Sequence, residues 1–225
     1  MKKMHSYFSL FIAVIVLYAC GTFSKSNQGM GEKKYLALGD SYTIGESVSE
    51  FDRFPEQLVA ALNETGASFQ RPEIIARTGW RTDQLIQAIE QADLQEKYDL
   101  VTILIGVNNE FQGRSSTTFE SELRTICKTA IRLAGGKEHV YLMSIPDYGF
   151  TPFGKRRQVA ISDRIDEYNA VVQSISKELQ LQFVDVTTIS RLGLEQKELI
   201  ADDGLHPSGK MYTEWVKALI KQMND

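Results

Sequence analysis

Tyr35-Leu36-Ala37-Leu38-Gly39-Asp40-Ser41-Tyr42 is an apolar run that breaks at a glycine and ends on a serine. Consecutive apolar side chains followed by small turn residues predict a buried strand over 34–39, and a strand buried on both faces belongs to a parallel sheet covered by helices. The sequence downstream keeps that alternation. Pro55 opens a helix carrying Leu58, Ala61 and Leu62 that ends near Gly66, and Glu73-Ile74-Ile75-Ala76 is a short strand. Thr82 or Asp83 can cap a helix with Leu85, Ile86 and Ile89 on one side, before a nearly continuous apolar strand over 100–105. Thr117-x-x-Glu120 fits a capping box for a helix repeating Phe119, Leu123, Ile126, Ala130 and Ile131 and stopping at Gly135-Gly136. The next strand covers 140–145. Ile161, Ile165, Tyr168, Val172, Ile175 and Leu179 then fall at alternating four- and three-residue steps, the spacing of one long amphipathic helix. A last strand covers 183–186, and Ser208 can cap a terminal helix carrying Tyr212, Trp215, Leu219 and Ile220. Five strands alternating with helices predict an α/β fold, a three-layer α/β/α sandwich around a parallel sheet.

In such sheets ligands bind beyond the carboxyl ends of the strands. Ser41, Gly79, Gly106 and Asn108 all follow predicted strands on that edge, so residues distant in sequence are expected to converge there. Serine is a weak nucleophile at neutral pH and needs a base within hydrogen-bond reach. The chain holds three histidines. His5 lies in an apparent export signal and His139 opens a strand, whereas His206 stands in a loop as part of Asp203-Gly204-Leu205-His206. An aspartate three residues upstream can fold back on the imidazole and fix its tautomer, which predicts a Ser41-His206-Asp203 arrangement. Asp202 is the neighbouring alternative, and spacing alone does not separate the two. Acyl transfer also requires donors for an oxyanion. The candidates are the Ser41 amide, the Gly79 amide in Thr78-Gly79-Trp80, and the side chain of Asn108 in Gly106-Val107-Asn108-Asn109, with Asn109 as the fallback.

These blocks resemble those of the SGNH or GDSL hydrolase family. Gly39-Asp40-Ser41-Tyr42 is similar to the family's serine block, with tyrosine where leucine often stands. Arg77-Thr78-Gly79-Trp80 is similar to its glycine block, Gly106-Val107-Asn108 to its G-x-N block, and Asp203-Gly204-Leu205-His206 to its D-x-x-H block. All four occur in the family's order across nearly the whole domain. The resemblance implies a flavodoxin-like three-layer fold and ester hydrolysis without a metal or other cofactor. It names Ser41, Gly79, Asn108 and His206 as the four signature residues, with Asp203 orienting His206. No G-x-S-x-G is present, which argues against the α/β-hydrolase elbow.

A length of 225 residues with 43% hydrophobic content suits one domain with a sizeable core, expected over 34–225. The net charge of -4 and the lack of a basic cluster give no reason to expect a nucleic-acid partner. Residues 1–19 carry Lys2 and Lys3 and then an apolar stretch of signal-peptide length, too short for a comfortable membrane span. Leu17-Tyr18-Ala19-Cys20 resembles a bacterial lipobox, which implies cleavage before Cys20, acylation of that residue and anchoring in the cell envelope. The polar, glycine-rich residues after Cys20, up to 33, read as a flexible tether. Cys127 falls on the apolar side of its helix and is expected to be a buried small hydrophobe. Trp80, Phe111, Tyr148, Phe150 and Phe153 are aromatic candidates for a pocket wall, and Arg53, Arg77 and Arg81 for meeting an anionic substrate. The leading expectation is an esterase taking short acyl groups on carbohydrates or small molecules. Its rivals are a lysophospholipase or thioesterase for long acyl chains and a non-catalytic surface lipoprotein that binds glycans or lipids.

Overall fold

A computed structural model describes residues 32–95 and 97–224; the expected export signal, the expected acylation site Cys20 and all but the end of the expected tether lie outside the described residues. Five strands, β1 (Tyr35–Gly39), β2 (Glu73–Ala76), β3 (Leu100–Leu104), β4 (Val140–Met143) and β5 (Gln182–Val184), form one parallel sheet in the order β2-β1-β3-β4-β5. Every residue of β1 and β3 is buried, as strands covered on both faces require. Tyr35 and Thr102, adjacent in that buried layer, satisfy each other's hydroxyls at 2.7 Å.

The helices follow from the crossovers. α1 (Ser41–Ile44) is a single turn leaving β1, and α2 (Phe54–Glu64) leads to β2. The chain then reverses past β1 to reach β3 through α3 (Thr82–Gln91). Right-handed crossovers in opposite directions put α2 and α3 on opposite faces of the sheet. α4 (Val107–Phe111) is another short turn after β3, followed by α5 (Ser116–Ala134) and α6 (Gln158–Leu179), which continue in the direction set by α3. α3 packs on α5 and α5 on α6; α7 (Thr187–Ser190) is short, and the terminal α8 (Gly209–Asn224) packs on α2. The apolar stripes expected from periodicity are the buried ones: Phe119, Leu123, Ile126 and Ala130 on α5, Ile161, Ile165, Tyr168, Val172 and Ile175 on α6, and Tyr212, Trp215 and Leu219 on α8. Cys127 is fully buried within this core, and burial pushes its thiol up to about 12.

Several boundaries differ from the sequence expectation, each because a side chain competes for backbone groups. β4 stops at Met143 because Asn169 of α6 takes both the N–H and the C=O of Ile145, at 2.7 and 2.9 Å. β5 stops at Val184 because Ser144 Oγ accepts from the Val186 amide at 2.9 Å, while Asp185 Oδ1 accepts from the Thr188 amide in the first turn of α7 at 3.1 Å. The expected capping box at Thr117 is displaced: Ser115 is the cap, accepting from Thr118 N at 3.1 Å, and Glu120 instead pairs with Arg124. Neither Thr82 nor Asp83 caps α3. Thr82 is its first residue, bound to Asn109, and Asp83 forms an ion pair with Arg81.

Candidate active site

The strand order reverses at β1 and β3, and the crevice lies where chain leaves their carboxyl ends in opposite directions. Ser41 follows β1 and Asn108 follows β3, so the reversal point lies between them. Asp40 is the cap of α1: its Oδ1 accepts from Tyr42 N at 3.1 Å. That cap starts the helix one residue after the strand and puts Ser41 at its first position, 5% exposed. Asp40 of the serine block thus doubles as the cap of the helix that begins at Ser41.

Ser41, Thr78, Gly79, Asn108 and His206 line one cavity of about 150 Å3. Its apolar wall includes Val107, Phe111, Tyr148, Phe153 and Leu205. Phe111, Tyr148 and Phe153 form a mutual cluster with ring centroids 6.0 to 6.4 Å apart. Trp80 packs partly buried against the core, and Phe150 lies beside the Arg191 guanidinium, so these two aromatic candidates are not part of the wall. The arginines expected to meet an anion do not line the cavity either; Arg53 pairs with Glu50 and Glu56, and Arg81 with Asp83.

The His206 loop explains the three-residue spacing. Asp203 Oδ1 accepts the amides of Leu205 and His206, both at 2.9 Å, which folds the loop back on the aspartate. Gly204 supports the bend at φ 71. Asp203 Oδ2 then sits 2.6 Å from His206 Nδ1. Burial pushes the Asp203 carboxyl up, but the hydroxyl of Ser47, the His206 ring and the two loop amides outweigh it and hold the group well below the ordinary carboxylate range. An ionised carboxylate only accepts, so Nδ1 carries the proton and Nε2 is the basic nitrogen. Asp202 is exposed, and the carboxylate at the ring is that of Asp203. Pro207 closes the loop in a bridge with Ile200, and Ser208 caps α8 through the Met211 amide at 3.3 Å.

The two asparagines of α4 separate by role. Asn109 is fully buried; its Oδ1 accepts from Thr82 N at 3.1 Å and its Nδ2 donates to Thr82 Oγ1 at 2.6 Å, so it pins α4 to α3. Asn108 reaches the cavity and donates to the Trp80 carbonyl at 3.1 Å, tying α4 to the Gly79 turn. Gly79 has φ 83, a left-handed conformation that favours glycine, and a Cβ there would meet open space. Backbone conformation, rather than crowding, therefore accounts for the glycine. Behind Ser41, Asp40 is fully buried, and burial pushes its carboxyl up to about 7. The Tyr42 amide, the Asn108 side chain and the Gly106 amide lie near enough to favour its charge, yet Oδ2 has no well-aligned partner.

The sequence did not point to Tyr42 as a neighbour of His206, but its ring stands edge-on to the imidazole at 5.8 Å. Nor did it single out Glu46 and Ser47. They follow α1 in an ordinary polar stretch, and only the folded backbone brings them to Thr78 and Asp203. Among the described residues no three His, Cys, Asp or Glu side chains gather at metal-binding spacing.

The described fold is shared with solved structures. The acetylxylan esterase Axe2 from Geobacillus stearothermophilus superposes with a TM-score of 0.69 at 21% identity, covering 86% of this chain and 94% of that one. TesA superposes at 0.68 with 17% identity, covering 85% and 98%. A lipase/acylhydrolase from Enterococcus faecalis gives 0.66 at 23%, covering 85% and 95%. No curated protein sequence matches this chain. Residues 37–213 match the model of the GDSL-like Lipase/Acylhydrolase family, a span that runs from within the first strand into the last helix and includes Ser41, Gly79, Asn108, Asp203 and His206. The chain therefore belongs to the GDSL-like lipase/acylhydrolase family and is a carboxylic ester hydrolase.

Proposed function

We propose that this protein is a serine esterase that removes short acyl groups, acetyl foremost, from carbohydrates or small alcohols. Ser41 Oγ attacks the ester carbonyl carbon while its proton passes to His206 Nε2. Asp203 stabilises the resulting imidazolium through Nδ1. The oxyanion accepts from the Ser41 and Gly79 amides and from Asn108 Nδ2, each such donor being worth about 3 kcal/mol in the transition state. Collapse breaks the carbon–oxygen bond to the alcohol, which takes the proton from Nε2. Water, deprotonated by the same nitrogen, then attacks the acyl-enzyme, and the acid leaves as Ser41 recovers its proton.

The observation that carries this reading is the single cavity shared by Ser41, Gly79, Asn108 and His206, with Asp203 2.6 Å from the ring. Its volume of about 150 Å3 favours small acyl groups, since pockets for drug-sized ligands run to roughly 300–1,000 Å3. The likeness in fold to an acetylxylan esterase agrees with acetyl as the group removed. A second reading, turnover of long acyl chains, draws on the exposed rings of Phe111 and Phe153 at the rim, over which a chain could lie.

The test is hydrolysis of nitrophenyl esters from acetate to dodecanoate. The expected result is a maximum between acetate and butyrate and a loss of at least about a thousandfold in Ser41→Ala. Rates that climb with chain length would transfer the assignment to the second reading, and equal rates for wild type and Ser41→Ala would remove Ser41 from the chemistry. From the lipobox alone we also propose export and anchoring in the bacterial envelope through acylated Cys20. Mass spectrometry of the mature N-terminus should find Cys20 first and carrying acyl chains, and an unmodified terminus would exclude the anchor.

A further inference from the structure

Ser47 adopts a backbone that serine avoids. Its φ is 65, and apart from Gln180 the other described residues at positive φ are glycines. A left-handed serine costs stability that glycine would not, and such a residue persists where its surroundings hold it in place. The turn that presents it is built directly on α1: the amides of Gly45 and Glu46 both donate to the Ser41 carbonyl, at 3.1 and 3.0 Å. From there Ser47 Oγ donates to Asp203 Oδ2 at 2.6 Å, the same oxygen that meets His206 Nδ1. The preceding residue makes a parallel contact, with Thr78 Oγ1 donating to Glu46 next to Gly79. One short segment thus begins at Ser41 and ends on both the aspartate loop and the glycine loop.

We propose that Ser47 is a positioning residue: its hydroxyl, presented by a left-handed turn, holds the Asp203 carboxylate in register with the helix that carries Ser41. The inference rests on the Ser41-His206-Asp203 reading above. A carboxylate held only by its own loop can pivot with that loop. With Oδ1 taken by two loop amides and Oδ2 taken by both Ser47 and the imidazole, its plane is set from outside the loop. The imidazole is then aimed by the same segment that sets the nucleophile, so a small shift of the aspartate loop does not separate base from hydroxyl. The Ser47 contact is open to solvent, so water can take the vacated site in a variant, which limits the expected loss.

Two variants test this with the full chain. Ser47→Gly accepts the left-handed backbone but has no hydroxyl, whereas Ser47→Asn tolerates that backbone and supplies an N–H donor. On nitrophenyl acetate, Ser47→Gly should lower kcat about tenfold with KM unchanged, and Ser47→Asn should recover most of the loss. The proton on His206 Nδ1 should give a low-field NMR resonance that broadens or moves upfield in the glycine variant and returns in the asparagine variant. The proposal is overturned if the glycine variant keeps wild-type kcat and resonance, if only KM changes, or if asparagine is no better than glycine. The resonance needs no turnover, so an inactive wild type would sink the esterase reading, while an unmoved resonance would sink the role of Ser47. Should the glycine variant fail to fold, Ser47→Ala, which keeps a side chain without a donor, takes its place under the same criteria.

Discussion

Asp40 and Asp203 are both acidic side chains of the site, and their environments drive them in opposite directions. Asp40 is fully buried with one unpartnered oxygen, so burial raises it to about 7; Asp203 is held ionised by four donors. The consequences for stability have opposite signs. A carboxyl raised on folding contributes stability that is fully present below its unfolded value near 3.8 and is lost as the pH rises through 7. For Asp40 the loss is about 4 kcal/mol, an order-of-magnitude figure. Asp203 contributes stability above the unfolded value, lost as the pH falls toward its depressed one. Asp40→Asn should therefore gain stability relative to wild type as the pH is raised from 4 to 8, measured by urea unfolding at each pH. A difference that stays constant with pH would mean that Asp40 does not titrate in that range. For catalysis, Asp203→Asn should lower kcat by about two to four orders of magnitude by permitting the wrong tautomer, with Asp202→Asn near wild type. The reverse ranking would exchange their roles.

At the scale of elements, the short helices α1 and α4 matter more to the site than the long ones. Each is a turn placed at the end of a central strand: α1 brings Ser41 and Tyr42 to the cavity, and α4 divides its residues between the cavity, with Val107, Asn108 and Phe111, and the frame, with Asn109. In α4 the division is between adjacent asparagines. Asn108→Ala should reduce kcat about a hundredfold and, losing one part-buried bond to the Trp80 carbonyl, cost less stability than Asn109→Ala. Asn109→Ala leaves the buried Thr82 amide without its acceptor, while the Thr82 hydroxyl keeps Glu122, and should cost about 1–3 kcal/mol of stability. Paired measurements of kcat and unfolding free energy separate the two, and equal effects on both quantities would mean that the division is not real. The loop after β4 supplies the wall. Tyr148 is 5% exposed and donates to the buried Glu110 carboxyl at 2.8 Å, while its ring packs on Phe111 and Phe153. Burial pushes Glu110 up, with the Tyr148 hydroxyl countering it. Tyr148→Ala should open the cavity and move the optimum of an acyl-length series toward longer esters. An unchanged optimum would place the acyl group elsewhere along the rim.

Across the whole molecule, the sheet order positions the chemistry. Residues 41, 79, 108 and 206 lie on four separate connections, and the reversal between β1 and β3 leaves a gap at one edge into which all four extend. The element sequence and apolar stripes were legible because strand burial and helix periodicity are local patterns with strong energetic consequences. Exact ends were less so: whether β4 stops at Met143 or Ile145 depends on Asn169, 24 residues from Ile145, and whether Thr82 is a cap depends on Asn109, 27 residues away. Trp80 and Phe150 could not be told from Phe111 and Phe153 by type, since aromatic side chains serve cores and pocket walls alike.

The sequence by itself determined the family, the parallel α/β fold and the order of the four blocks, because alternating strands and helices admit few topologies and each block joins a backbone requirement to a chemical one. Only the tertiary structure decided between Asp203 and Asp202, gave Asn108 the cavity and Asn109 the frame, and brought Ser47 to Asp203 across 156 residues. Those outcomes depend on where side-chain atoms stand after distant loops have packed, and hydrogen bonding selects by distance and angle, which residue type and spacing do not encode.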